Sequence, residues 1–203
     1  MNTSITIMEE EHSTINRALA VIRSICLKLM RGEEVPDSDF RLIIDFIRNY
    51  ADKHHHGKEE KFLFPLMVEK MGPVADKLVT HGMLVEHDLG RADILNLETA
   101  LNEYRKTPTS ELRLDILSYA MAYAHLLQLH IEKENSVVYP FAERSLSPED
   151  FQLINEKSEA FEAEKKAEGI QEKYLKILES LEKSIYSNCY GILLFLTSGA
   201  GEA

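Results

Sequence analysis

Two stretches of the chain carry residues able to do chemistry. One is His54-His55-His56-Gly57-Lys58-Glu59-Glu60, followed by Pro65; the other is His130-Ile131-Glu132-Lys133-Glu134, followed by Pro140. Aligning the prolines pairs His55 with His130, Lys58 with Lys133 and Glu59 with Glu134, each 75 positions apart. The same offset relates Glu11 to Glu86 and His12 to His87. A His-x-x-x-Glu pair on a helix stacks an imidazole above a carboxylate on one face, where both can reach one cation. A single such pair among eight histidines carries little weight, but two in a common register imply two halves of one design. The spacing therefore predicts a metal-ligand set of His12, His55, Glu59, His87, His130 and Glu134. Six such residues suit two ions bridged by the two carboxylates.

Helices must position these groups. The chain has 203 residues, no Trp, nine Gly and six Pro, and is rich in Glu, Lys, Leu, Ala and Ile, which favours an all-α fold. A first helix is expected from Ile5 to Met30, capped by Ser4, with Ile15, Leu19, Ile22, Cys26 and Leu29 on its apolar face. Pro36 opens a second helix that Pro65 should end or kink, with a short continuation to Met71. A third is expected over Val74 to Tyr104. The fourth, Glu111 to Ala142, carries Leu114, Leu117, Met121, Ala124 and Leu127 on the approach to His130. Each histidine lies about 17 to 19 residues from the connection to its neighbouring helix, a run of roughly 25 to 29 Å at 1.5 Å per residue. Antiparallel neighbours would then bring all four histidines to one level of an up-down four-helix bundle over residues 1–146.

Residues 147–203 read as a helical extension. Ser147-Pro148-Glu149-Asp150 is a helix start, and Ile170, Tyr174, Ile177, Leu178, Leu181 and Ile185 form an apolar stripe. The extension is expected as one appended helix packed across the bundle or against a second copy, as in a homodimer. The tail Tyr190 to Leu196 is apolar but shorter than the roughly 18 residues of a membrane span.

A formal net charge of -11 excludes nucleic acid as a natural partner, because phosphate binding needs a basic surface. The two cysteines, Cys26 and Cys189, share no metal spacing and read as ordinary thiols in a reducing, cytoplasmic setting. The first residues lack the basic and then apolar order of a secretory leader.

Several neighbours compete with the preferred ligands. His56 and Glu60 form a rival pair one residue out of register. His81 and His125 are candidate extra ligands, although neither stacks on its nearest histidine. Tyr50 takes the place in the first half that His125 takes in the second. Glu11 and Glu86 precede the histidines by one and face about 100° away, which suits a supporting role behind the ligands. Phe62, Leu63, Phe64, Val137, Val138 and Tyr139 read as core that walls the site from water.

Imidazoles with carboxylates and no cysteine argue against copper(I) and iron-sulfur clusters, and two bridging glutamates favour iron or manganese, iron first. The chain resembles the haemerythrin-like, or HHE cation-binding, family through Glu11-His12, His55-His56-Gly57-Lys58-Glu59-Glu60 with Leu63-Phe64-Pro65, Glu86-His87 with Gly90-Arg91, and His130-Ile131-Glu132-Lys133-Glu134-Asn135. The resemblance covers residues 1 to about 146. It implies an antiparallel four-helix bundle around a non-haem pair of iron ions (Fe2+/Fe3+), oxo- or hydroxo-bridged, with four histidine ligands and two bridging carboxylates. Oxygen-carrying haemerythrins differ: they place two histidines four apart on the third helix and an aspartate five after the last histidine. Here His87 has Met83 and Arg91 at those positions, and Asn135 and Ser136 occupy the region of that aspartate. The resemblance is instead to members that repair iron-sulfur proteins, sense iron or answer redox stress. It implies binding or reduction of dioxygen, peroxide or nitric oxide, with an oxygen or iron sensor and a metal-stapled structural bundle as alternatives. Whether there is turnover is left open.

Overall fold

The computed structural model describes residues 3–198, with side chains through residue 185, and no strand occurs among them. Cys189 and the side chains of the 190–196 tail lie outside the described residues. Helix α1 is Thr3–Met30. Helix α2 spans 37–71 without a break, but its winding changes: Asp37–Phe46 is α-helical, Ile47–His56 and Glu59–Leu63 are π-helical, and Phe64–Met71 is α-helical again. Helix α3 spans 73–106 with a π turn at Val79–Met83, and α4 spans 110–145 with a π turn at Glu134–Val138. Two further helices follow, α5 at Pro148–Ala167 and α6 at Ile170–Ser198.

Pro65 does not end α2. Proline removes a backbone donor and its ring strikes the carbonyl of residue i−4 in a regular α-helix. Both Pro65 and Pro140 stand directly after a π turn, at the first turn of the resumed α-helix. The wider π winding takes up the clash and the missing donor, so the chain runs on. The two turns, Glu59–Leu63 and Glu134–Val138, are themselves 75 positions apart.

Other boundaries follow local chemistry. Thr109 caps α4, its Oγ1 accepting from Leu112 N at 3.2 Å. Ser147 and Asp150 form a reciprocal capping box at the start of α5. Gly169, with φ of 72°, parts α5 from α6, so the extension is two helices where one was expected. Ser4 is not a cap; it lies inside α1, and its backbone N and Oγ both donate to Asn155 Oδ1 on α5. Leu114 is exposed rather than turned to the core.

The apolar side chains form two clusters. One gathers Ile15 and Ile22 of α1, Phe40 and Ile44 of α2, Ile94 of α3 and Ile116 of α4, with Tyr174, Leu178, Leu181 and Ile185 of α6 buried among them. The other gathers Ile5, Met8, Leu63, Phe64, Met83, Val138 and Tyr139, closed by Phe151 and Ile154 of α5. Along each of α1 to α4 the chemistry-bearing residues fall between the two clusters. Each fully buried aliphatic side chain contributes about 1.5–3 kcal/mol, which is how the chain offsets the cost of a polar layer enclosed on both sides.

Candidate metal centre

The polar layer contains two groups of four side chains whose ligand atoms all lie within 4.8 Å of one another. One is His12, His55, Glu59 and Glu134; the other is His56, Glu59, His87 and His130. All seven residues are buried, and Glu59 belongs to both groups. Glu134 also faces both ways. Its Oε2 lies 3.1 Å from His12 Nε2 and its Oε1 lies 3.1 Å from His130 Nε2. Glu59 turns one oxygen to both groups, Oε2 being 3.8 Å from His55 Nε2 and 3.6 Å from His87 Nε2. Its other oxygen, Oε1, accepts a 2.7 Å hydrogen bond from the Tyr139 hydroxyl.

The π winding of Ile47–His56 explains why neighbouring histidines serve different groups. In an α-helix successive side chains diverge by about 100°, whereas the wider π turn closes this to about 80°. His55 and His56 can then both point inward, His55 toward His12 and His56 toward His87. The rings of His12 and His55 meet edge to face at 4.5 Å, and those of His56 and His87 stack at 3.8 Å.

Behind the imidazoles stands a ring of acceptors that repeats with the sequence. His55 donates from Nδ1 to Glu11 Oε2 at 2.8 Å, and His130 donates from Nδ1 to Glu86 Oε2 at 2.8 Å. Lys58 and Lys133 hold the second oxygens of those glutamates. His87 donates to Glu60 Oε1 and His12 to Asn135 Oδ1, both at 2.7 Å. Residues 60 and 135 are again 75 apart. Asp52 lies 3.5 Å from His56 Nδ1. An acceptor at Nδ1 fixes the proton there and leaves each Nε2 lone pair free to point into the layer.

The donor set fits metal ions. His55 Nε2, His56 Nε2, Glu59 Oε2 and both Glu134 oxygens are buried without a hydrogen-bond partner, and the Nε2 atoms of His87 and His130 face each other at 3.0 Å. Lone pairs and carboxylate oxygens aimed at one another, away from water, are placed to share a cation between them. Electrostatics reflect how closely these side chains are enclosed together. Burial, with the charge of Glu134 beside it, pushes the Glu59 carboxyl well above its usual range. Burial and His12 bring His55 down to about 4. Burial also acts to lower His130, but the charge of Glu134 and the hydrogen bonds to Glu134 and Glu86 outweigh it and raise the group to about 9.

A third group, Glu11, His54 and Glu162, is held differently. The Lys58 ammonium contacts both Glu11 and Glu162, so a fixed cation already stands between these carboxylates. His54 stacks on Phe161 of α5, and Glu162 is also on α5, which ties that helix to the back of the His55 side.

A sequence model of the Hemerythrin HHE cation binding domain matches residues 3–142. The chain belongs to this family. It is also similar to the uncharacterized protein Mb2018 of Mycobacterium bovis and the uncharacterized protein Rv1995 of Mycobacterium tuberculosis. Each is 24% identical over 178 residues, covering 86% of this chain and 67% of the relative.

Within this haemerythrin-domain chain the six residues of the expected set come together, and His56 joins them as a seventh. The rival reading of His56 with Glu60 divides: His56 enters the layer, whereas Glu60 supports His87 and pairs with Arg91. His81 and His125 are outside both groups, His125 lying exposed with Nε2 3.5 Å from Arg23 Nη1. Tyr50 is buried against Phe46 and His54 and touches neither group. Tyr139 is more than a wall, since its ring lies parallel to His12 at 5.5 Å and its hydroxyl holds Glu59. Breaks in the repeat mark both additions: Ile131 stands where the second half would repeat His56, and Phe64 where the first would have Tyr139.

Proposed function

We propose that residues 1–146 form an antiparallel four-helix bundle enclosing two iron ions, and that the protein reduces a small oxidant such as dioxygen, peroxide or nitric oxide. The observation that carries this reading is the sharing of Glu59 between two buried groups, with Glu134 facing both. His12 and His55 would hold one ion, His56, His87 and His130 the other, and the two glutamates would bridge them. Iron bound there would cycle between Fe2+ and Fe3+ and supply the electrons.

The chain's own residues account for the rest. The group containing His12 and His55 offers one imidazole fewer, so an ion there would have a position to give to a small molecule. Tyr139 keeps its proton, because burial and the charges of Glu59 and Glu134 push the phenol well above its ordinary value, and its hydroxyl holds Glu59 in place beside that group. The two apolar clusters keep bulk water away.

Iron content, and rapid-mixing spectra of the reduced protein with each oxidant, test the reading. Two irons per chain and conversion to a stable oxidised form are expected. Saturation at one ion, or an adduct with oxygen that reverses cleanly under vacuum, would overturn it.

A sensing role is the second reading. It is favoured by Lys58, which links Glu11 behind His55 to Glu162 on α5, so that metal occupancy has a path to the extension.

A further inference from the structure

A cavity of about 220 Å³ adjoins the metal-ligand layer on the side of the three imidazoles, away from Tyr139. Its buried wall is made by Ile47 and His56 of α2, His87 and Ile94 of α3, and Tyr123 and Leu127 of α4. Gly90 completes it: a Cβ there would meet the Tyr123 ring at 3.4 Å, and the missing side chain lets that ring pack against α3. The rim is of opposite character, with Arg48, Lys53, Asp52, Glu86 and Arg91.

Size, wall and rim limit the occupant. An engineered apolar cavity of about 150 Å³ takes up benzene, so this one has room for a single ring with a small substituent. Three ring side chains, the stacked imidazoles of His56 and His87 and the phenol of Tyr123, suit a flat π system against them. At the rim Arg48 pairs with Glu98 at 2.6 Å, and Arg91 with Asp52 and Glu60, each at 2.6 Å, and with Asp88 at 2.9 Å. Lys53 reaches only the amide oxygen of Asn49, at 3.2 Å, and is in no ion pair among the described residues. Lys53 is thus the rim cation without an ion-pair partner among the described residues, and it suits a ligand with one negative charge at one end.

We propose that this cavity is a binding site for a small monocyclic aromatic carboxylate, its ring between α2, α3 and α4 against His56 and His87 and its carboxylate at Lys53. The site is built from the chain itself and stands apart from the redox reading. A ligand there would lie against two imidazoles of the layer from the side opposite Tyr139.

Calorimetric titration of the full chain with benzoate, and with benzyl alcohol as the neutral probe of similar size, tests the proposal. Each titration is run on iron-loaded protein and again after metal removal, so that benzoate bound to iron is told apart from benzoate in the cavity. Saturable binding of one benzoate per chain is expected in both forms, and tighter than that of benzyl alcohol. Lys53→Glu should weaken benzoate about three-fold and leave benzyl alcohol nearly unchanged, the size of effect an exposed charge exerts. Ile94→Phe, which fills the pocket, should weaken both at least about ten-fold in protein that unfolds at a normal denaturant midpoint. Binding only when iron is present, binding of the neutral probe alone, or no response to either variant would overturn the proposal. So would failure of both probes, which would mark the cavity as a path for gases only.

Discussion

Tyr139 and Glu59 meet across the buried layer, the phenol hydroxyl donating to Oε1 at 2.7 Å while Oε2 is left to face both histidine groups. The bond divides the work of one carboxylate: one oxygen is anchored and the other is free to be shared. Tyr139→Phe should therefore keep two ions per chain and lower the stability of the metal-free protein by about 1–2 kcal/mol, the cost of stranding a buried acceptor. Denaturant titration and metal analysis measure both. Loss of an ion from this variant would make Tyr139 a ligand instead of an anchor.

His56 separates two ways of counting the site. If the 75-residue repeat alone defined the ligands, the position answering to Ile131 would be dispensable. The geometry places His56 Nε2 within the group of His87 and His130, so His56→Ala should bring loading down toward one ion per chain. Full loading of the variant would return the site to the six residues of the repeat.

Glu11 and Glu86 make equivalent bonds to His55 and His130, both 2.8 Å and both backed by a lysine. An acceptor behind a ligand imidazole fixes its tautomer and raises its basicity, and removing such a partner costs about 10–100-fold in metal affinity. Glu11→Gln and Glu86→Gln should each weaken metal retention within that range. Competition with a chelator reads it directly. Glu11→Gln should have the larger effect, because the Glu11 side chain is 7% exposed and that of Glu86 20%.

The bearing of these residues on one another was legible in the sequence wherever they repeat. His12 with His87, His55 with His130 and Glu59 with Glu134 could be paired by counting, and apolar periodicity indicated helices around them. Helical winding was not legible. A fixed 100° step sets His55 and His56 too far apart to share a layer, and only the π turn over Ile47–His56 removes that objection. The same assumption had Pro65 end or kink the second helix. The third helix brings one histidine to the layer, and α2 brings His56 beside it. Tyr139 was concealed by composition: in an apolar run its ring reads as core, and only the contrast with Phe64 marks its hydroxyl. The division of the extension at Gly169 rests on one residue with positive φ, a weak signal beside the continuous charge pattern around it.

The two bridging candidates set the metal-free protein against itself. Glu59 and Glu134 are both fully buried, with oxygens that lack hydrogen-bond partners; burial and the Glu134 charge raise the cost of charge on Glu59, whereas His130 and His12 hold Glu134 ionised against its burial. Groups aimed at an absent cation reduce stability until the cation arrives, because desolvation is incurred in folding and repaid only on binding. Glu59→Gln keeps the shape and an oxygen for Tyr139, and it is neutral without taking up the proton that burial forces on the Glu59 carboxyl. The metal-free variant should thus be more stable than the metal-free parent by about 1–2 kcal/mol, the scale of a buried polar mismatch. The order should reverse once iron is added: the parent gains by binding, about 4 kcal/mol when free metal exceeds Kd by about 1,000-fold, whereas the variant, short of a bridge, gains little. Denaturation of both proteins with and without iron gives four midpoints, and the crossing of the two pairs is the expected result. If Glu59→Gln destabilises the metal-free chain, Glu59 supports the fold through Tyr139 more than it disturbs it. If iron stabilises both proteins equally, Glu59 is not a bridge.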